Sequence, residues 1–195
     1  MCIIEAITDN LLLIMSIFVC GIAFLLMAGG QSEEFQETAG TPDSSNAKRY
    51  IDLHLHLDGA ITVEIAKEPA RLQDITLLAE NDEELAKLLT VPEDCESLND
   101  FLKCFELPLT LLQTPVGLRE AVHLVADHIA SQGVIYAEIR FAPQLHTNKG
   151  MTQEEAVLAA LEGIRETDLK VNLILCCMRG EGNDELNQET LDGAK

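Results

Sequence analysis

Residues 50–60 read Tyr50-Ile51-Asp52-Leu53-His54-Leu55-His56-Leu57-Asp58-Gly59-Ala60, an alternation of apolar and polar residues that closes on Asp-Gly. Side chains two apart on a β-strand share a face, so the pattern predicts Leu53, Leu55 and Leu57 on one side and Asp52, His54, His56 and Asp58 on the other. The leucine side would bury against helices. The opposite side would have to satisfy two imidazoles and two carboxylates, and unpaired buried polar groups are costly. A divalent cation meets that need: neutral imidazole suits zinc, and a catalytic zinc site holds three protein ligands and keeps one position open. The same His-x-His spacing also occurs on solvated strands, so spacing alone leaves both readings standing.

From Lys48 onward, short β-rich apolar runs alternate with longer helical stretches. Strands are expected near 50–56, 134–141 and 171–177. Helices are expected near 62–72, 82–89, 97–112 and 116–131, the last with Ala121, Val122, Val125 and Ile129 on one side and a stop at Gly133. Ser97-x-x-Asp100 and Thr152-x-x-Glu155 are N-terminal capping patterns, and a final helical stretch begins near Asp184. Strand, helix, strand in this order implies a parallel sheet with helices outside it. A (β/α)8 barrel needs about 250 residues and eight strands. The 148 residues from Lys48 to Lys195 offer three strands, so a barrel cannot close within them. Such a sheet is expected to leave an edge and an apolar face uncovered, making the chain alone unstable, oligomeric or prone to aggregate.

Composition narrows the function. The 195 residues are 47% hydrophobic and 24% charged, as in a folded protein, with a formal net charge of -20. Nucleic-acid binding rests on clustered Lys and Arg, and the only cluster here is the pair Lys48-Arg49, so no nucleic-acid partner is expected. Six cysteines, Cys2, Cys20, Cys95, Cys104, Cys176 and Cys177, form no Cys-x-x-Cys pair. That excludes zinc ribbons, thioredoxin-like redox motifs and the cytidine-deaminase type of site. Cys176 and Cys177 read as buried small apolar residues on the third strand.

Residues 11–28 carry no charge. Their length sits at the lower edge for a membrane-spanning helix and is long for the core of an export signal. Glu5 and Asp9 precede the run where a secretory signal would be positive, while Ala28-Gly29-Gly30 could serve as a cleavage site. Membrane anchor, export signal and extraneous upstream extension are three open readings of this segment. Residues 31–47, rich in Gln, Ser, Glu, Thr, Gly and Pro, read as a flexible linker.

Four stretches in order, His54-Leu55-His56-Leu57-Asp58-Gly59, Ser97–Phe105, Gly133–Pro143 and Leu173–Arg179, resemble the adenosine deaminase family, a branch of the metal-dependent amidohydrolases. The resemblance covers residues 48–195. It implies an α/β fold, the first three strands of a (β/α)8 barrel, with His54 and His56 as zinc ligands at the C-terminal end of the first strand, where barrel active sites are built. By the same resemblance Asp58 contacts a ribose hydroxyl, and Leu98, Phe101, Leu102 and Phe105 form an apolar lid over a purine. From the residues alone, Asp58 is a turn-forming residue before Gly59, and the four apolar side chains are an ordinary helix stripe. The Arg140-Phe141-Ala142-Pro143 ending looks like nucleoside rather than nucleotide deaminases. Glu138, Arg140 and Arg179 read as structural ion-pair or loop-positioning residues, His146 as a loop residue, and His123 and His128 as helix residues remote from the site.

The family reaction is hydrolytic deamination of adenosine to inosine and ammonia, with zinc acidifying the attacking water. Its third metal histidine, metal aspartate, proton-donating glutamate and second catalytic histidine come from later strands, and no histidine follows His146 here. The resemblance therefore places the catalytic residues beyond Lys195 and none within residues 1–195. The expectation is a chain that carries two ligands, lacks its catalytic half and is inactive alone. The alternative is a non-catalytic or membrane-tethered polypeptide that binds metal or a partner. The resemblance implies a cytoplasmic enzyme; residues 11–28 would instead anchor or export it.

Overall fold

The computed structural model describes residues 48–195. The apolar run at 11–28, the linker at 31–47, Cys2 and Cys20 lie outside the described residues. Among the described residues no helix is long and apolar enough to cross a membrane.

Three parallel strands, β1 (Tyr50–His56), β2 (Val134–Phe141) and β3 (Lys170–Leu175), form one sheet in the order β1-β2-β3. Between β1 and β2 run α1 (Val63–Leu72), α2 (Asp82–Leu89), α3 (Leu98–Lys103), α4 (Glu106–Leu111) and α5 (Pro115–Ser131); α6 (Gln153–Arg165) joins β2 to β3 and α7 (Asp184–Gly193) follows. This is the expected strand-helix-strand arrangement. The central strand alternates as its sequence requires. Ala137, Ile139 and Phe141 are buried on the helix side, where Ile139 and Phe141 join Leu118, Val122, Val125, Ala156 and Ala160 of α5 and α6 in the core. Tyr136, Glu138 and Arg140 occupy the other side, half-buried.

Helix starts follow local chemistry. Thr62, Asn81, Ser97 and Thr114 each accept a backbone N–H three residues on, and Thr152 and Glu155 form a complete capping box. Gly133 has φ +92°, and a Cβ there would stand 2.7 Å from the Lys48 carbonyl oxygen. Only glycine fits. Its own carbonyl accepts the Tyr50 N–H at 2.9 Å, which starts β1 beside β2.

Three expectations are corrected. The helix expected over 97–112 is two helices, α3 and α4, separated at Cys104 and Phe105. Pro108 explains the break, since its ring displaces the carbonyl four residues back, that of Cys104, and it has no N–H to give. Strand three stops at Leu175: Cys176 still donates its N–H to the Phe141 carbonyl at 2.9 Å, but Cys177 is exposed rather than buried. The alternation of residues 50–60 is also interrupted. Asp52 pairs with Ala137 and Leu55 with Ile139, so Leu53 and His54 together oppose Glu138 in a β-bulge. On the outer strand Ile51 is 62% and Leu53 56% exposed.

The tightest helix contact is that of α5 with α6. A Cβ on Gly163 would run into the Arg119 carbonyl oxygen, a backbone atom that cannot turn aside. Gly163→Ala gains up to about 1 kcal/mol in helix propensity but forces the helices apart, at a cost of about 1–3 kcal/mol. The expected net result is a lower urea midpoint with an unchanged m-value; a midpoint at or above wild type would show that the helices separate freely.

Candidate metal centre

The end of β1 places the two histidines together. Their ring centroids are 5.4 Å apart with an interplanar angle of 39°. Two apart on the strand, they share a face; the bulge lies at the start of the pair, where the His54 N–H is taken by the Asp52 carboxylate at 2.9 Å. Asp52 is therefore spent on the backbone of its own strand. Beyond the bulge the register is regular, with His56 opposite Arg140 and the Leu57 N–H donated to the Arg140 carbonyl at 3.0 Å.

His56 is held neutral. Burial is the main cause, and the nearby charges of His54 and Arg140 act in the same direction, lowering its pKa from 6.5 to about 4. A neutral ring keeps a lone pair for a ligand. His54 Nε2 lies 3.2 Å from Arg140 Nη1 on the neighbouring strand.

The alternation predicts Asp58 on the strand face with the histidines, and here the structure differs. The strand ends at His56, Leu57 turns into helical geometry, and Asp58–Ala60 form one 3₁₀ turn. Asp58 thus sits on a turn beyond the strand and not in its alternation. Its Oδ1 accepts the Gly59 N–H at 3.0 Å. Burial raises its pKa, and backbone N–H groups partly offset that. Phe105 packs onto the same turn, its ring edge 3.6 Å from where a Gly59 Cβ would stand, and Phe101 lies against Phe105 with centroids 5.5 Å apart. Leu98 and Leu102 of the expected lid are exposed.

The remaining candidates separate clearly. The ion-pair reading of Glu138 and Arg140 is corrected: Glu138 accepts from the Tyr136 hydroxyl at 3.0 Å, and Arg140 contacts His54. Arg179 is exposed, and its carbonyl accepts from Asn183. His123 faces Asp127 and His128 faces Gln132 along α5, away from the sheet end. His146 is buried in the turn after β2, against the Phe141 ring at 5.6 Å. Burial lowers its pKa to about 4, despite a hydrogen bond with the Leu112 backbone. It is a structural histidine. Lys195 is exposed: its ammonium pairs with Asp192 at 2.7 Å, and its N–H is donated to the Asp192 carbonyl at the end of α7. Arg140 and Cys176 are the neighbours that sequence reasoning did not bring to this rim as contacts; Cys176 has its thiol pKa raised by burial and by Asp58, with Arg140 opposing.

Among the described residues no group of three or more His, Cys, Asp and Glu is arranged to hold a metal ion. The donor set that does exist, two adjacent half-buried imidazoles, fits a borderline metal such as zinc as a pair of ligands.

Known proteins share much of this sequence and fold. The family model described as adenosine deaminase matches residues 50–194. An adenosine deaminase from Haemophilus ducreyi is 50% identical over 150 residues, covering 74% of this chain and 44% of that protein. The solved adenine deaminase from Arthrobacter aurescens superposes with a TM-score of 0.53 at 28% identity, covering 64% of this chain and 38% of its own. An amidohydrolase from Burkholderia ambifaria with bound Zn shares the fold, with a TM-score of 0.51 at 19% identity over 66% of this chain and 35% of its own. The chain thus spans less than half the length of the curated relatives it matches.

His56 and His146, both held neutral, set an acid limit. In the unfolded chain both rings take up protons below about pH 6.5, whereas in the folded chain they do so only near pH 4. Between those values the unfolded chain binds more protons, so stability falls as the pH drops from 6.5 towards 4 and does not depend on these rings above 6.5. His146→Gln is expected to flatten the decline in urea midpoint between pH 7 and 4.5. Parallel declines in variant and wild type would show that the His146 ring is not buried neutral.

Proposed function

The chain belongs to the adenosine deaminase family, and from that premise we propose that residues 48–195 supply two metal ligands and the ribose-facing turn of a zinc-dependent adenosine deaminase. The reaction is hydrolysis of adenosine or deoxyadenosine to the corresponding inosine and ammonia. One observation carries the reading: two imidazoles stand side by side at the C-terminal end of a parallel strand, one of them half-buried with its pKa lowered, where barrel enzymes of this type place their chemistry.

His54 and His56 would hold the metal. Bound there, zinc would bring a water's pKa close to neutrality. The chain's own residues do the rest of what can be assigned. Burial keeps His56 unprotonated at neutral pH, so no proton competes for its lone pair. Asp58 uses one oxygen on the Gly59 N–H and has the other for a ribose hydroxyl. Phe105 and Phe101 cover that turn and exclude water from one side of a seated purine, and Leu98 and Leu102 gain apolar cover when the purine is present.

A second reading has its own support. With no third donor beside His54 and His56 among the described residues, these residues by themselves are a weak, non-catalytic metal-binding unit. The leaving step would lack the general acid that contributes about 10²- to 10⁴-fold.

Both readings meet in one experiment on the purified 195-residue chain. Zinc binding is measured by chelator competition, and inosine formation is followed from adenosine. The expected result is measurable zinc binding that is lost in His54→Ala and in His56→Ala, with no turnover. Turnover abolished by His56→Ala would show that the chain is itself a competent deaminase. Zinc binding indifferent to both substitutions would remove the metal site.

A further inference from the structure

His54 has a partner on the neighbouring strand that neither ligation nor substrate recognition requires. Arg140 Nη1 stands 3.2 Å from His54 Nε2. A guanidinium has only N–H groups to offer, so Arg140 donates to the Nε2 lone pair and His54 carries its own proton on Nδ1. Arg140 takes part in none of the ion pairs among the described residues. Its Nε is buried without a hydrogen-bond partner. Glu138, two residues back on the same face, is engaged by the Tyr136 hydroxyl at 3.0 Å, which in turn accepts from Asn172 Nδ2 at 2.9 Å. The guanidinium therefore has one side-chain partner, and that partner is a candidate metal ligand.

We infer that Arg140 is a built-in competitor for the metal at His54: its guanidinium holds the Nε2 lone pair in the metal-free chain and must leave it when a divalent cation binds. The inference rests on the reading of His54 and His56 as ligands. Two physical effects follow from the contact. The hydrogen bond selects the tautomer whose Nε2 is unprotonated, which is the form a metal needs, so the ring is kept ready. The metal must break that charge-assisted bond and settle beside a full positive charge, so weak or accidental binding is disfavoured. Arg140 is thus a positioning residue that also sets a threshold for metal affinity.

The test uses the full 195-residue chain and Arg140→Gln, with zinc affinity from chelator competition and imidazole nitrogen states from ¹⁵N NMR. In the metal-free wild type, His54 is expected as the Nδ1–H tautomer with Nε2 hydrogen-bonded, and that preference is lost in Arg140→Gln. The variant is expected to bind zinc about tenfold more tightly, the scale of one charge-assisted hydrogen bond released. Equal or weaker zinc binding by a folded Arg140→Gln overturns the inference and leaves the metal pair standing. Absence of zinc binding in both chains overturns the ligand reading and the competition with it. Should the variant fail to fold, the wild type decides: Arg140 side-chain resonances that stay unchanged on zinc saturation overturn the inference, and a shift coincident with zinc binding supports it.

Discussion

The parallel ladder between β1 and β2 is the constraint on which the site depends. β1 is an outer strand from which Leu55, and Leu57 just past its end, reach the core, while Ile51 and Leu53 are exposed. Packing alone would position such a strand poorly. Its register comes from the Tyr50 N–H on Gly133 at one end and the Leu57 N–H on Arg140 at the other. A slip of one residue would exchange the two faces and send both histidines towards the helices. The single extra residue at Leu53–His54 is such a displacement, made local and satisfied by the Asp52 carboxylate.

The same ladder explains why Arg140 matters. His56 and Arg140 are register partners, and His54 lies two residues back along the strand. A guanidinium and two imidazoles are therefore crowded on one side of a short sheet, where an added positive charge is unwelcome. Burial does most of the work at His56, and the positive field of Arg140 adds to it. Neutrality of that ring is thus produced by the chain's own residues before any metal is considered.

What is legible in the sequence is whatever is decided locally. Threonine and asparagine caps, the Thr152–Glu155 box, the stop at Gly133 and the β2 alternation all depend on residues within a few positions of one another. The break between α3 and α4 is also local, since Pro108 announces it, but the apolar spacing of Leu98, Phe101, Leu102 and Phe105 masks it. Features set by distant partners are not legible. The bulge depends on pairing between strands some eighty residues apart, and so does the contact of Arg140 with His54. Sequence places His146 in the loop after β2, but its burial against Phe141 and the Leu112 backbone requires the fold. Alternation misplaces Asp58 on the strand, because an Asp-Gly pair ends a strand as readily as it continues an alternation.

Asp58 shows how a partly buried polar rim stays chemically useful. Its carboxylate has only backbone N–H groups and, among the described residues, no ion-pair partner, so burial raises its affinity for a proton. Cys104 and Cys176 lie close enough to feel its charge, and both thiols are pushed up, first by burial and then by that carboxylate. A negative charge in this position lacks compensation from the chain itself. A ligand hydroxyl donated to its free oxygen would supply part of what water has been prevented from giving, so that ligand binding and ionisation of Asp58 favour one another. On the function proposed above, His54 and His56 would take the cation and this carboxylate a hydroxyl of the same ligand. The 3₁₀ turn bears on that division of roles, because it takes Asp58 out of the strand that carries the histidines, so the carboxylate does not stand in line with the two rings.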